Sequence, residues 1–186
     1  MAGSRSNNHW ESALQVGGGF VLLLTAIKLL EYFRHISLAR YGILPRTPAG
    51  LAGILFSPLL HGSFAHLAAN SMPLLILLTL LYADPHYRPT PTLATIWLAS
   101  GFGTWLIGRG HSVHIGASSL IFGLVAYLAA TGLWVRSWRS VLVAVVVLAG
   151  FGGIFWGVLP QAGPVSWEGH LSGAAAGFWA ARKNHR

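Results

Sequence analysis

Apolar runs of roughly 20 residues, each long enough to cross the hydrocarbon core of a bilayer, recur along the 186-residue chain. No feature constrains the fold more. Inside lipid every backbone N–H and C=O must find a partner within the protein, which leaves only helices and closed barrels. The runs are continuous rather than alternating, which disfavours a barrel, and an all-α polytopic membrane protein is expected. With 54% hydrophobic and 9% charged residues, the chain is far more apolar than a soluble domain.

Six segments are expected, at about 13–33, 66–82, 91–107, 116–134, 141–158 and 168–181, together forming one membrane domain over 13–182. Residues 1–12 read as a polar N-terminal tail and 183–186 as a C-terminal one. The first apolar run is too long for the core of a cleavable signal peptide, so segment one is expected to stay as an anchor. Near its end Lys28 and Glu31 stand at i, i+3, where they can pair or snorkel. The connection 34–60 is broken by Pro45, Pro48 and Gly50, and its apolar second part reads as an interfacial or partly embedded loop. Pro73 is expected about the second turn of its segment, where a missing N–H does least harm. His111 and His114 read as solvated loop histidines, the alternative being that they line an entrance for water.

Six spans put both termini on one face. With the N-terminus inside, seven basic residues (Arg5, Arg88, Arg136, Arg139, Arg182, Lys183, Arg186) face inward and four (Arg34, Arg40, Arg46, Arg109) face outward. That excess favours cytoplasmic termini. The net charge of +8 is scattered over loops and ends, which suits topology and contact with anionic lipid rather than nucleic acid. No cysteine is present, so thiolate metal sites and a cysteine nucleophile are excluded.

Three stretches carry polar residues that an apolar segment has to account for. The first is Gly116-Ala117-Ser118-Ser119, opening segment four. The second is His61 to Asn70, HGSFAHLAAN. The third is Gly169 to Gly177, GHLSGAAAG. Gly169, Gly173 and Gly177 make a repeated small-xxx-small face, and Gly116, Ser119 and Gly123 make a small-residue face on segment four. Packing of these faces brings Ser118 and His170 together, a hydroxyl and the base that could activate it. His66 and Asn70, at i, i+4, share one helix face. With the Ser118 N–H they offer donors for an oxyanion. Taken singly, each feature is also explained by helix packing or an interfacial histidine.

Together the three stretches resemble the rhomboid family of intramembrane serine proteases, over about 42–182. The resemblance implies a six-transmembrane-helix rhomboid-like bundle with Ser118 as nucleophile and His170 as base. It implies that His66, Asn70 and the Ser118 N–H stabilise the oxyanion, that Gly116, Ser119, Gly123, Gly169, Gly173 and Gly177 pack the helices at the site, and that His61 fixes the loop before span two. Three positions depart from the pattern. Ser119 replaces a glycine, Gly169 replaces a frequent alanine, and Phe122 replaces a tyrosine that packs on the histidine. The first loop also lacks a Trp-Arg pair. The expected activity is hydrolysis of peptide bonds in or near the transmembrane segments of single-span proteins, in a bacterial inner membrane, with no metal or other cofactor. The alternative is an inactive rhomboid-like protein that binds such segments, with Ser119 as the reason to keep it. Asp84 is the sole aspartate, which excludes a two-aspartate protease. A zinc protease lacks its H-E-x-x-H site. A histidine-based metal carrier is disfavoured by the scarcity of carboxylates.

Overall fold

The computed structural model describes residues 2–135, 137–163 and 165–185, with side chains from His9 onward. Arg136, Pro164 and Arg186, expected in the inner turn, the outer loop and the tail, lie outside the described residues, as does the side chain of Arg5. The chain forms seven α-helices: α1 Ala2–Arg34, α2 Pro48–Phe56, α3 Phe64–Ala83, α4 Pro89–Ile107, α5 Ser118–Val135, α6 Trp138–Phe151 and α7 Trp167–Asn184.

Local chemistry sets several helix starts. Thr47, Ser63, Ser137 and Ser166 each precede a helix, and their side chains accept the N–H of Gly50, His66, Ser140 and Gly169, the usual way a hydroxyl satisfies an orphan first-turn donor. Prolines at the starts of α2 and α4 cost no hydrogen bond there.

Four segments are long and apolar enough to cross a membrane: His9–Arg34, Phe64–Ala83, Ser118–Val135 and Trp138–Val158. The sequence suggests six; α4 and α7 fall short of that measure. Their polar residues are turned into the protein: Thr92, Ser100 and Thr104 of α4 and Glu168 and Ser172 of α7 are buried. Inside the bundle Thr92 and Thr104 donate to the Tyr87 and Ser100 carbonyls, partners that lipid does not offer, while Ser172 Oγ has none among the described residues.

The helix α5 lies at the centre. Two-thirds of its apolar window (67%) is buried, against 17% for α1 and 11% for the α6 segment, so α1 and α6 present most of their apolar surface outward. Leu74, Leu77, Leu78 and Leu81 of α3 and Leu120, Leu124, Val125 and Leu128 of α5 belong to one core. Helices α5 and α7 touch backbone to backbone: a Cβ at Gly177 would strike the Gly123 carbonyl, and one at Gly173 the Ser119 carbonyl. Inside lipid this close van der Waals packing takes the place of hydrophobic drive.

Several expectations need correction. The helix α1 begins at Ala2, so it takes in the polar stretch 2–12 as well as the expected segment from about residue 13. The fifth segment is helical only to Phe151, and Gly152–Val158 tightens into a 3-10 turn. Pro73 lies midway along α3, because that helix begins at Phe64; its ring therefore removes an interior hydrogen bond. The connection before α3 is ordered as a short apolar helix, α2. It lies on α4, where the indole N–H groups of Trp97 and Trp105 donate to the Ile54 and Thr47 carbonyls at 3.0 and 2.9 Å. Lys28 and Glu31 pair at 3.2 Å, and Glu31 also accepts the Leu38 N–H at 2.6 Å.

Candidate active site

Ser118 is the first residue of α5, so its N–H is one of the four that a helix leaves unpaired at its start. The turn before it depends on Gly116, whose φ of +115° is a conformation that residues with a side chain rarely adopt. A Cβ there would also lie 2.6 Å from the His66 ring. The imidazole of His66 therefore rests on bare backbone two residues before the serine. The Gly116 N–H donates to the Ser57 carbonyl at 2.8 Å, tying this turn to the stretch after α2.

His170 lies in the first turn of α7. Its Nε2 is 3.0 Å from Ser118 Oγ and its Nδ1 is 3.0 Å from the Gly157 carbonyl. A carbonyl can only accept, so Nδ1 carries the proton. In the neutral ring Nε2 is then the acceptor, and the Ser118 hydroxyl donates to it. This is the arrangement a general base requires. Phe122 stacks on the imidazole with centroids 4.1 Å apart and planes at 9°. The ring is thus held by a hydrogen bond at one edge and an aromatic face. Phe122→Leu keeps apolar volume and loses the flat face. For a His170 that serves as general base, the expected result is a roughly 10-fold slower reaction, with a nearly unchanged melting temperature in detergent, while Phe122→Tyr keeps the wild-type rate.

Asn70 is buried, and its Nδ2 donates to the His66 carbonyl at 3.1 Å within α3. That bond fixes which way the amide points and leaves the second N–H free of it. His61 is 2% exposed, its ring meets His66 edge-on at 5.0 Å, and neither of its nitrogens makes a well-formed hydrogen bond among the described residues. Burial, reinforced by His66, lowers its pKa from 6.5 to about 4. The folded protein therefore keeps His61 neutral while the unfolded chain charges it. As pH falls from about 6.5 to about 4, stability is lost, by at most about 3 kcal/mol. Thermal unfolding in detergent should show this decline, and His61→Gln should flatten it over that window.

Gly173 packs on the Ser119 backbone and Gly177 on that of Gly123, while Gly123 itself lies against Ile96. Gly169 turns elsewhere, toward Ser166 and Thr104. The contact of Gly173 at Ser119 runs through the Ser119 main chain and not its side chain.

Several partners escape the sequence reading. The Gly157 carbonyl has no side chain to signal it. His114 is buried rather than solvated; its Nδ1 contacts Ser166 Oγ and its Nε2 lies 3.4 Å from the Arg109 carbonyl. Burial lowers its pKa, partly offset by that carbonyl and by Glu168. His111 is exposed. Glu168 is fully buried and 2.8 Å from Arg109 Nε. A carboxylate inside an apolar segment was the available signal, though four outward-facing arginines left its partner open. Among the described residues no group of three or more His, Asp or Glu side chains could hold a metal.

Residues 48–186 match the model of the rhomboid domain. An uncharacterised protein of Mycobacterium tuberculosis is 45% identical over 170 residues, covering 87% of this chain and 71% of that protein. An uncharacterised protein of Mycobacterium leprae is 40% identical over 170 residues, covering 87% of this chain and 67% of its own length. No solved structure matches. With a family domain spanning most of its length and relatives this similar, the chain belongs to the rhomboid family.

Proposed function

We propose that the protein is an intramembrane serine endopeptidase that cuts single-span membrane proteins in or near their transmembrane segments. The observation that carries this reading is the 3.0 Å contact between Ser118 Oγ and His170 Nε2, with Nδ1 held by the Gly157 carbonyl. A serine hydroxyl is a weak nucleophile until a base removes its proton, and this contact supplies the base in the required tautomer. In this reading Ser118 attacks the scissile carbonyl as His170 takes its proton. The oxyanion is met by His66, the second N–H of Asn70 and the Ser118 N–H. His170 then protonates the leaving amine, and water hydrolyses the acyl-enzyme by the reverse sequence. The Gly157 carbonyl does the orienting work that a carboxylate does in a triad.

A helical substrate keeps its backbone hydrogen-bonded and shielded, so the scissile bond has to become extended first. Substrates should therefore carry helix-weakening residues near the cut. The bundle crosses the bilayer six times in this reading, with cytoplasmic termini. Burial of the polar residues of α4 and α7 supports membrane positions for these two helices.

The test is cleavage of a single-span reporter in liposomes, with Ser118→Ala alongside. Cleavage by wild type and its loss in the variant supports the reading. Cleavage that survives Ser118→Ala overturns the assignment of the nucleophile. Capture of the reporter without cleavage points to the binding-only alternative.

A further inference from the structure

We propose that Arg109 and Glu168 are positioning residues that set the spacing of Ser118 and His170, an inference that rests on the protease reading above. Arg109 belongs to the connection that leads from α4 into Ser118. Glu168 belongs to the first turn of α7, two residues before His170. The pair therefore joins the element that carries the nucleophile to the element that carries the base.

The contacts converge on this joint. Arg109 Nε lies 2.8 Å from Glu168 Oε1, an ion pair whose N–H is not aimed along the contact. The Arg109 backbone N–H donates to the same oxygen at 3.2 Å. The two terminal nitrogens donate to the Gly163 and Val165 carbonyls at 3.1 and 2.5 Å. One side chain thus grips the connection between α6 and α7 as well as α7 itself. A second strand runs alongside. The Arg109 carbonyl faces His114 Nε2, His114 Nδ1 meets Ser166 Oγ, and Ser166 Oγ accepts the Gly169 N–H at 3.3 Å. His114 is also tied to Ile43 by a pair of backbone bonds of 2.9 Å.

Bulk stability does not explain such a pair. Replacing a buried ion pair with apolar side chains is often neutral or stabilising, so its energetic return is small. Glu168 is fully buried, and its Oε2 has no hydrogen-bond partner among the described residues. The carboxylate is held through Oε1 alone, by Arg109. What the arrangement supplies is register, at a site where the reacting atoms sit 3.0 Å apart and a small displacement is expensive for the rate.

The experiment uses the full chain in liposomes with a single-span reporter and compares wild type, Glu168→Gln, Arg109→Lys and the double variant. Glutamine keeps the shape and loses the charge. Lysine keeps the charge and loses the grip on the Gly163 and Val165 carbonyls. Each single variant is expected to lower kcat roughly 10- to 100-fold with KM nearly unchanged. The double variant should be no worse than the weaker single one, since both break one joint. Labelling of Ser118 by a fluorophosphonate should slow in parallel. Unchanged kcat in both single variants beside an active wild type overturns this inference alone, even if their melting temperatures fall. So does a rise in KM with kcat preserved. An inert, unlabelled wild type overturns the protease reading and this inference with it.

Discussion

Ser118→Ala and His170→Ala are each expected to lower reporter cleavage by about 10^4-fold or more, and the double variant is expected to be no worse than either. The reason lies in the 3.0 Å contact between the two side chains. In the proposed mechanism, removing the hydroxyl leaves nothing to form the acyl-enzyme. Removing the imidazole leaves a hydroxyl at its ordinary acidity. Groups that act as one unit give losses that do not add. Both replacements shorten a side chain at a half-buried position, so folding should survive. Melting temperature in detergent and expression level are the controls. A His170→Ala variant that retains more than about a tenth of the rate would contradict the assignment of the base, since general-base catalysis contributes about 10^2-fold or more.

The second large effect is structural. Gly177→Ala puts a methyl group into the backbone of α5, where it meets the Gly123 carbonyl oxygen and lies 2.7 Å from the Gly123 carbonyl carbon. Neither partner is a flexible side chain that can swing away, so α5 and α7 have to separate. Overpacking of this kind costs about 1–3 kcal/mol or more. At about 2–4 °C per kcal/mol, the melting temperature should fall by roughly 10 °C at the upper end. Activity should fall further than stability, because α7 carries His170 and α5 carries Ser118. Gly18→Ala on α1 is the matched control. A Cβ there meets nothing within 4 Å, and alanine is the better helix former, so that variant should be neutral or slightly more stable. Equal effects at the two glycines would mean that the α5–α7 contact is not the tight joint described here.

The difference between those two glycines also marks what the chain discloses by itself. A repeat at 169, 173 and 177 announces a close helix contact, and two of its three members do lie on α5. The third, Gly169, faces Ser166 and Thr104 instead, because the contact is local to each turn and a spacing rule cannot assign partners. Ser118, His170, His66 and Asn70 were legible as polar residues that an apolar chain must justify. The Gly157 carbonyl was not, since every residue has one and only the 3-10 turn at Gly152–Val158 brings this one to His170.

The apolar character of the spans was legible in α1 and α6, whose apolar windows are little buried in the protein, though their ends were not. It blurred in α4 and α7, which bury polar side chains against protein. His114 was misread for a similar reason. A histidine in a short polar loop usually meets water, but a backbone pairing with Ile43 draws this one inward. Pro73 was misplaced along its helix because the Ser63 cap starts α3 at Phe64, ahead of the first strongly apolar stretch.

The most direct measurement of the central claim is covalent capture of the nucleophile. Wild type, Ser118→Ala and His170→Ala in detergent would be treated with a fluorophosphonate and read by intact mass and peptide mapping. An activated serine at Ser118 predicts a single adduct on that residue in wild type, none in Ser118→Ala, and strongly slowed formation in His170→Ala. An adduct on another residue, equal labelling without His170, or no adduct on a folded wild-type protein would contradict it.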